Sequence, residues 1–155
     1  MKLRNILFAA VLVLPATSAF AQGAMPDLKT FASSAEVQAL LDKAKTMPPK
    51  PTISQNIVFV APYRVNLEYR RNLPNLEVSS HPKEHLLIYV IDGAGTHIMG
   101  GTIANGAITG GTSTHVTKGD FIFLPANTPH EMVPDSGGVA VVTIHVPVES
   151  PAAAQ

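Results

Sequence analysis

Ser80-His81-Pro82-Lys83-Glu84-His85-Leu86-Leu87-Ile88-Tyr89-Val90-Ile91-Asp92-Gly93 decides how this chain is read. Two histidines and a carboxylate stand just before an apolar run, and a glycine closes it. Leu86 to Ile91 has the length of a strand, and its unbroken apolarity predicts burial on both faces, with Tyr89 in the core. A later stretch answers it: Gly119-Asp120-Phe121-Ile122-Phe123-Leu124-Pro125-Ala126-Asn127-Thr128-Pro129-His130. It reads as a turn, a short strand, a proline stop and a third histidine.

Strand signals continue outward on both sides. Upstream, Ile57-Val58-Phe59-Val60 is apolar, and Val65-Asn66-Leu67-Glu68-Tyr69-Arg70 alternates, which puts Arg64 and Arg70 on a wet face. Asn72 to Asn75 is a turn. Downstream, Asp92-Gly93-Ala94-Gly95 predicts a chain reversal, with Thr96 to Met99 returning. Two diglycines, Gly100-Gly101 and Gly110-Gly111, bracket a short segment around Ile108. Thr114-His115-Val116 precedes a turn at Lys118-Gly119-Asp120. Val139 to Val148 is the last strand, and Pro147 predicts an edge or terminal position for it. The Gly-rich pieces open no helix, so they are turns and not a dinucleotide site. Many short strands at close spacing define an all-β sandwich or barrel.

One helix precedes them. Ser33-Ser34-Ala35-Glu36 is a capping box, and Val37, Leu40, Leu41 and Ala44 follow as one apolar stripe that packs on the outside of the body. Met47-Pro48-Pro49-Lys50-Pro51 ends it as a stiff linker.

The chain opens with Lys2 and Arg4, an apolar run from Ile6 to Leu14, and Ser18-Ala19-Phe20-Ala21. That is a signal peptide with cleavage after Ala21, which sends the protein to the periplasm or outside the cell. The expected division is a signal peptide over 1–21, a helix and linker over 22–51, a β-barrel over 52–148 and a disordered tail over 149–155. Cysteine is absent from the 155 residues, so core packing alone must stabilise an exported fold. Cleavage removes Lys2 and Arg4 from 11 basic residues, leaving 9 against 11 acidic ones, a net charge of −2. With no basic stripe, a nucleic-acid partner is excluded, and no membrane span remains after cleavage.

The two histidine stretches together resemble the two motifs of the cupin superfamily. Gly119, five residues, Pro125, Asn127 and His130 fit the second motif, and Tyr89-Val90-Ile91-Asp92-Gly93 fits the end of the first. The resemblance runs over about residues 55–147 and implies a small, single-domain, exported cupin. Its fold would be a conical β-barrel or double-stranded β-helix, a jelly roll, with one short N-terminal helix. It also implies a homodimer and a metal site inside the barrel. The first motif departs from the family. Its first histidine position falls on Ser79 and its Glu position on Leu86, while His81 takes the second histidine position.

Three imidazoles would hold a divalent ion and leave a position open for water or substrate. The expected ligands are His81, His85 and His130, for Zn, Fe, Mn or Ni. His85 reaches the interior only if a bulge after Pro82 turns it inward; Glu84, which has the parity of Leu86, is the alternative. His97, His115 and His145 are taken as structural, although His145 alternates with Thr143 and Val141. The expected function is binding and conversion of a small molecule, as an isomerase, lyase or dioxygenase. The alternatives are a degenerate cupin that binds a ligand without turnover, and a structural protein of the cell envelope.

Overall fold

The capping box at Ser33 is formed. The Glu36 N–H donates to Ser33 Oγ at 3.2 Å, and the Ser33 N–H donates to Glu36 Oε2 at 2.8 Å. Helix α1 (Ser34–Thr46) follows from it. This computed structural model describes residues 28–148; the expected signal peptide and tail lie outside the described residues. No helix among the described residues is long and apolar enough to cross a membrane.

Among the described residues nine strands come after α1. They are β1 (Thr52–Val60), β2 (Tyr63–Arg70), β3 (Val78–Ser79), β4 (Glu84–Met99), β5 (Thr102–Ala104), β6 (Ala107–Thr109), β7 (Thr112–Thr117), β8 (Phe121–Leu124) and β9 (His130–Pro147). The order β1-β2-β9-β4-β7 forms the main antiparallel sheet, with β3 beside β9 and β8 beside β4. β5 and β6 form a separate hairpin between the two diglycines. The architecture is an all-β jelly roll with one short helix.

Two expectations about the strands are corrected. Asp92-Gly93-Ala94-Gly95 does not reverse the chain; β4 runs straight through it to Met99. The glycines instead make bulges, with register shifts between Val90 and Asp92 and between Gly93 and Gly95. Likewise, β9 starts at His130 and not near Val139, and it is central, lying between β2 and β4. Pro147 is tolerated because it closes the strand.

The bulges bend both long strands, so each serves two walls. The first half of β4 pairs with β8 and the second half with β7. The first half of β9 pairs with β3 and the second half with β2. Leu86, Ile88 and Val90 of one wall then meet Met132 and Val116 of the other in a single core. Their burial stabilises each side chain by about 1.5–3 kcal/mol. Burial alternates along β4, so the run from Leu86 to Ile91 has one inner face. Tyr89 is on the other face, 42% exposed and beside Phe121.

A second core lies outside the sheet. Leu41 and Ala44 of α1 pack on Ile53, Ile57, Leu67, Tyr69 and Ala140. Arg71 Nη2 donates to the carbonyls of Ala44, Lys45 and Met47 at 2.9–3.2 Å, satisfying the open end of the helix. With the outer face of β2 apolar, its inner face carries Arg64, Asn66, Glu68 and Arg70. Arg70 therefore lines the interior and not a wet face, while the Arg64 side chain, 39% exposed, pairs with Glu84.

Gly93 has φ 72°, and a Cβ there would strike the carbonyl oxygen of Gly138. Gly100 has φ 85° with open space around it. Gly100→Ala should therefore cost only the left-handed backbone, about 1–2 kcal/mol. Gly93→Ala adds a backbone collision and should cost more, about 3 kcal/mol or above. Denaturant melts of the two variants check this; equal losses would mean the bend tolerates a side chain.

Candidate functional site: a histidine-lined cavity

Residues that bend the sheet also choose which side chains face inward. In the first half of β4 the buried positions are even-numbered (Leu86, Ile88, Val90); past the bulges they are odd (Gly95, His97). In β9 those on the inner face go from even (His130, Met132, Pro134) to odd (Val139, Val141, Thr143, His145), while buried Ala140 belongs to the outer core. Both walls therefore send histidines to one cavity of about 70 Å³. At some 10–15 Å³ of such space per water, it has room for roughly five. His81, His97, His130 and His145 line it; Glu68, Arg70, Glu77 and Ser79 make its polar wall, and Leu86, Ile88 and Val141 its apolar one.

His81 and His130 come together as expected from sequence, with ring centroids 5.2 Å apart. His81 lies between β3 and β4, tied there by the Asn127 N–H, which donates to the His81 carbonyl at 2.8 Å. His145 meets His81 edge-on at 6.0 Å, and His97 lies 6.4 Å from His130. His85 is not in the group. β4 pairs without a shift from Glu84 to Val90, so no bulge turns His85 inward. It faces outward, accepts the Ala126 N–H at Nδ1 at 3.0 Å and stacks on Phe123 at 5.6 Å. His115 lies on the surface with Asp135, 3.1 Å away.

The hydrogen bonds fix the tautomer of one ring and tether a second. His130 Nδ1 lies 3.1 Å from the Thr128 carbonyl, which can only accept, so the proton is on Nδ1 and Nε2 keeps its lone pair. His145 Nδ1 lies 2.9 Å from Glu84 Oε2, and Arg64 Nη2 lies 2.8 Å from the same oxygen. Arg64 is also 3.0 Å from His145 Nδ1. An arginine only donates and an ionised carboxylate only accepts. Arg64 therefore donates to Glu84; in the tautomer with the proton on Nδ1, His145 donates to Glu84 as well and Nε2 carries the lone pair. Both His145 Nε2 and His97 Nε2 are buried with no hydrogen-bond partner among the described residues, as is Thr143 Oγ1.

Burial disfavours the charged form of three imidazoles, His97, His81 and His130. It pushes His97 down to about 4, helped by His130 and Arg70. It lowers His81, with His145 adding to the effect. It lowers His130 too, against the upward pull of the Thr128 carbonyl. Neutral imidazoles with free lone pairs are the donors that a divalent ion takes, so the donor chemistry fits one. Among the described residues no three His, Asp or Glu side chains already stand as a ligand cage. Binding an ion would need side chains to rotate.

Sequence reasoning missed His97 and Glu68 as cavity residues and set His145 aside as structural and Arg70 as solvated. The alternation of His145 with Thr143 and Val141 was a usable signal. For His97 none existed, since its direction depends on bulges that the residues read as a turn.

Residues 74–147 match the family model for the cupin domain. No curated protein matches the chain in sequence. Among solved structures, BH2720 from Bacillus halodurans is similar at TM-score 0.55 and 18% identity, over 79% of this chain and 85% of that one. KdgF from Halomonas sp. is similar at 0.53 and 13%, over 67% and 87%. The hydroxypropylphosphonic acid epoxidase from S. wedmorenis is similar at 0.51 and 13%, over 61% of this chain but only half of its own, 50%. At these identities the likeness is one of fold.

In chelator-treated protein, His97 binds its proton near pH 4 when folded and near its ordinary 6.5 when unfolded. The unfolded chain thus holds more protons between those values, and stability falls as pH drops from 6.5 to 4 and levels below. The contribution is about 3 kcal/mol, from 1.36 kcal/mol per unit. Denaturant melts of wild type and His97→Phe across this window check it: the slope should flatten in the variant. An unchanged slope would refute the neutral buried ring.

Proposed function

The chain belongs to the cupin superfamily, and from that premise we propose that its cavity binds a divalent metal ion through His81 and His130 and acts on a small molecule. One observation carries this: two histidines distant in sequence, both buried enough to be held neutral, have rings 5.2 Å apart in a cavity. Among the solved structures of similar fold is HppE in an Fe(II) form. That likeness is one of fold, and the reading rests on the histidines.

Bound there, an ion would polarise a carbonyl or carboxylate, or activate water or oxygen. The chain's own part is positioning. The Thr128 carbonyl fixes the proton of His130 and turns its lone pair away. Leu86, Ile88 and Val141 keep one wall dry. Arg70, held by Glu68 at 2.6 Å, offers its remaining N–H groups to an anionic part of a ligand. A cavity this size suits a molecule of a few heavy atoms. Isomerase, lyase and dioxygenase chemistry all fit such a site.

A second reading is favoured by Ser79 and Leu86, which stand at two family ligand positions, and by the lack of a formed cage among the described residues. In it the cavity binds a small ligand without turnover. Thermal stabilisation by the ligand that survives chelator would select this reading. The open cavity weighs against a purely structural role. We also propose export, with cleavage after Ala21, and a homodimer. Periplasmic protein with an N-terminus at Gln22 supports export; a cytoplasmic full-length chain refutes it.

The main test is elemental analysis of protein purified natively without a His-tag. Metal should be near stoichiometric in wild type and His115→Ala, and fall about tenfold or more in His81→Ala and His130→Ala. Content indifferent to both latter changes would remove the metal reading.

A further inference from the structure

Position 86 faces the cavity as leucine, which has no lone pair to give. β4 pairs with β9 so that Leu86 lies directly opposite His145. Residues opposite each other in an antiparallel pair share a face, with Cβ atoms about 4.5–5.5 Å apart. His145 therefore serves the same corner of the cavity as position 86. It is 5% exposed, its ring meets that of His81, and its Nε2 is buried with no partner among the described residues. Its other nitrogen is held by Glu84, 18% exposed, which Arg64 holds in turn. Carboxylate to Nδ1–H with a bare Nε2 beyond is the arrangement that orients histidines toward metals. His97 has an unpartnered Nε2 too, but no side chain or carbonyl among the described residues holds its ring.

We infer that His145, oriented by the Glu84–Arg64 pair, is the third metal-binding side chain of this cavity, taking the place that position 86 has given up across the strand pair. The inference rests on the metal reading above and names a ligand and two positioning residues for it. Glu84 then acts on the ion through His145 and not as a ligand itself.

Co²⁺ titration of the mature protein, read by its visible d–d bands and by chelator competition, tests this. His145→Ala should weaken Co²⁺ by about 100-fold and Glu84→Gln by about tenfold, with His115→Ala unchanged. His145→Gln keeps most of the volume and guards against a folding defect; it should weaken binding as His145→Ala does. The Co²⁺ form should also show a paramagnetically shifted exchangeable ring N–H that His145→Gln removes, a signal that a packing role would not produce. If His145 variants bind within twofold of wild type while His81→Ala and His130→Ala lose the ion, this inference falls and the metal reading stands. The inference also falls if His97→Ala alone abolishes binding. Wild type that binds no Co²⁺ overturns both.

Discussion

The pairing of β4 with β9 is the constraint on which the rest depends. These two strands run antiparallel from Glu84 opposite Pro147 to Met99 opposite His130, with a break only at the bulges. A straight ladder of this length would be a flat ribbon with one inner face. The bend at Gly93 and Gly138 folds the ribbon on itself, and each extra residue moves the following side chains to the opposite face. Without that exchange, His97 and His130 could not face the same space as His145. Bend and site are one event in the chain, which is why the glycine at 93 matters at a distance from the cavity.

The next consequence concerns polarity. β2 has an apolar outer face under α1 and a polar inner face, the reverse of an ordinary sheet over a core. The helix makes this workable. By burying Leu67 and Tyr69 outside, it supplies hydrophobic stabilisation that the inner face, with Asn66, Glu68 and Arg70, does not. The inner charges are tolerated because they are paired: Arg70 with Glu68, and Arg64 with Glu84. Such pairs are weak contributors to stability, since desolvation offsets their attraction. Their value here is in holding a donor pattern at a cavity wall.

The sequence disclosed the fold better than the site. Local chemistry gave α1, its cap and the strand at Phe121–Leu124, because each depends on residues near in sequence. The second motif placed His130 for the same reason. What failed needed non-local information. Asp92-Gly93-Ala94-Gly95 has the composition of a turn, and only β9 opposite it makes it a bulge. His85 looked eligible because its parity could be altered by a bulge after Pro82, and the ladder with β9 starts there without one. Arg70 looked solvated because nothing in its own strand shows that a helix covers the other face.

Buried, unpartnered nitrogen atoms give the last step. His97 Nε2, His145 Nε2 and Thr143 Oγ1 are each cut off from solvent, and each such group costs about 1–3 kcal/mol when left unsatisfied. A fold built without cysteine, and stabilised by two modest cores, carries that cost at three cavity atoms, with Asn66 Oδ1 and Arg71 Nη1 the other buried unpartnered atoms among the described residues. Leucine at position 86 makes one corner of the cavity apolar, and His145 opposite it brings an imidazole there. Any ligand that satisfies these atoms therefore recovers free energy the folded chain has already spent, and binding and stability are linked through the same few nitrogens. This linkage holds whichever small molecule or ion is taken up, because it arises from the cavity wall.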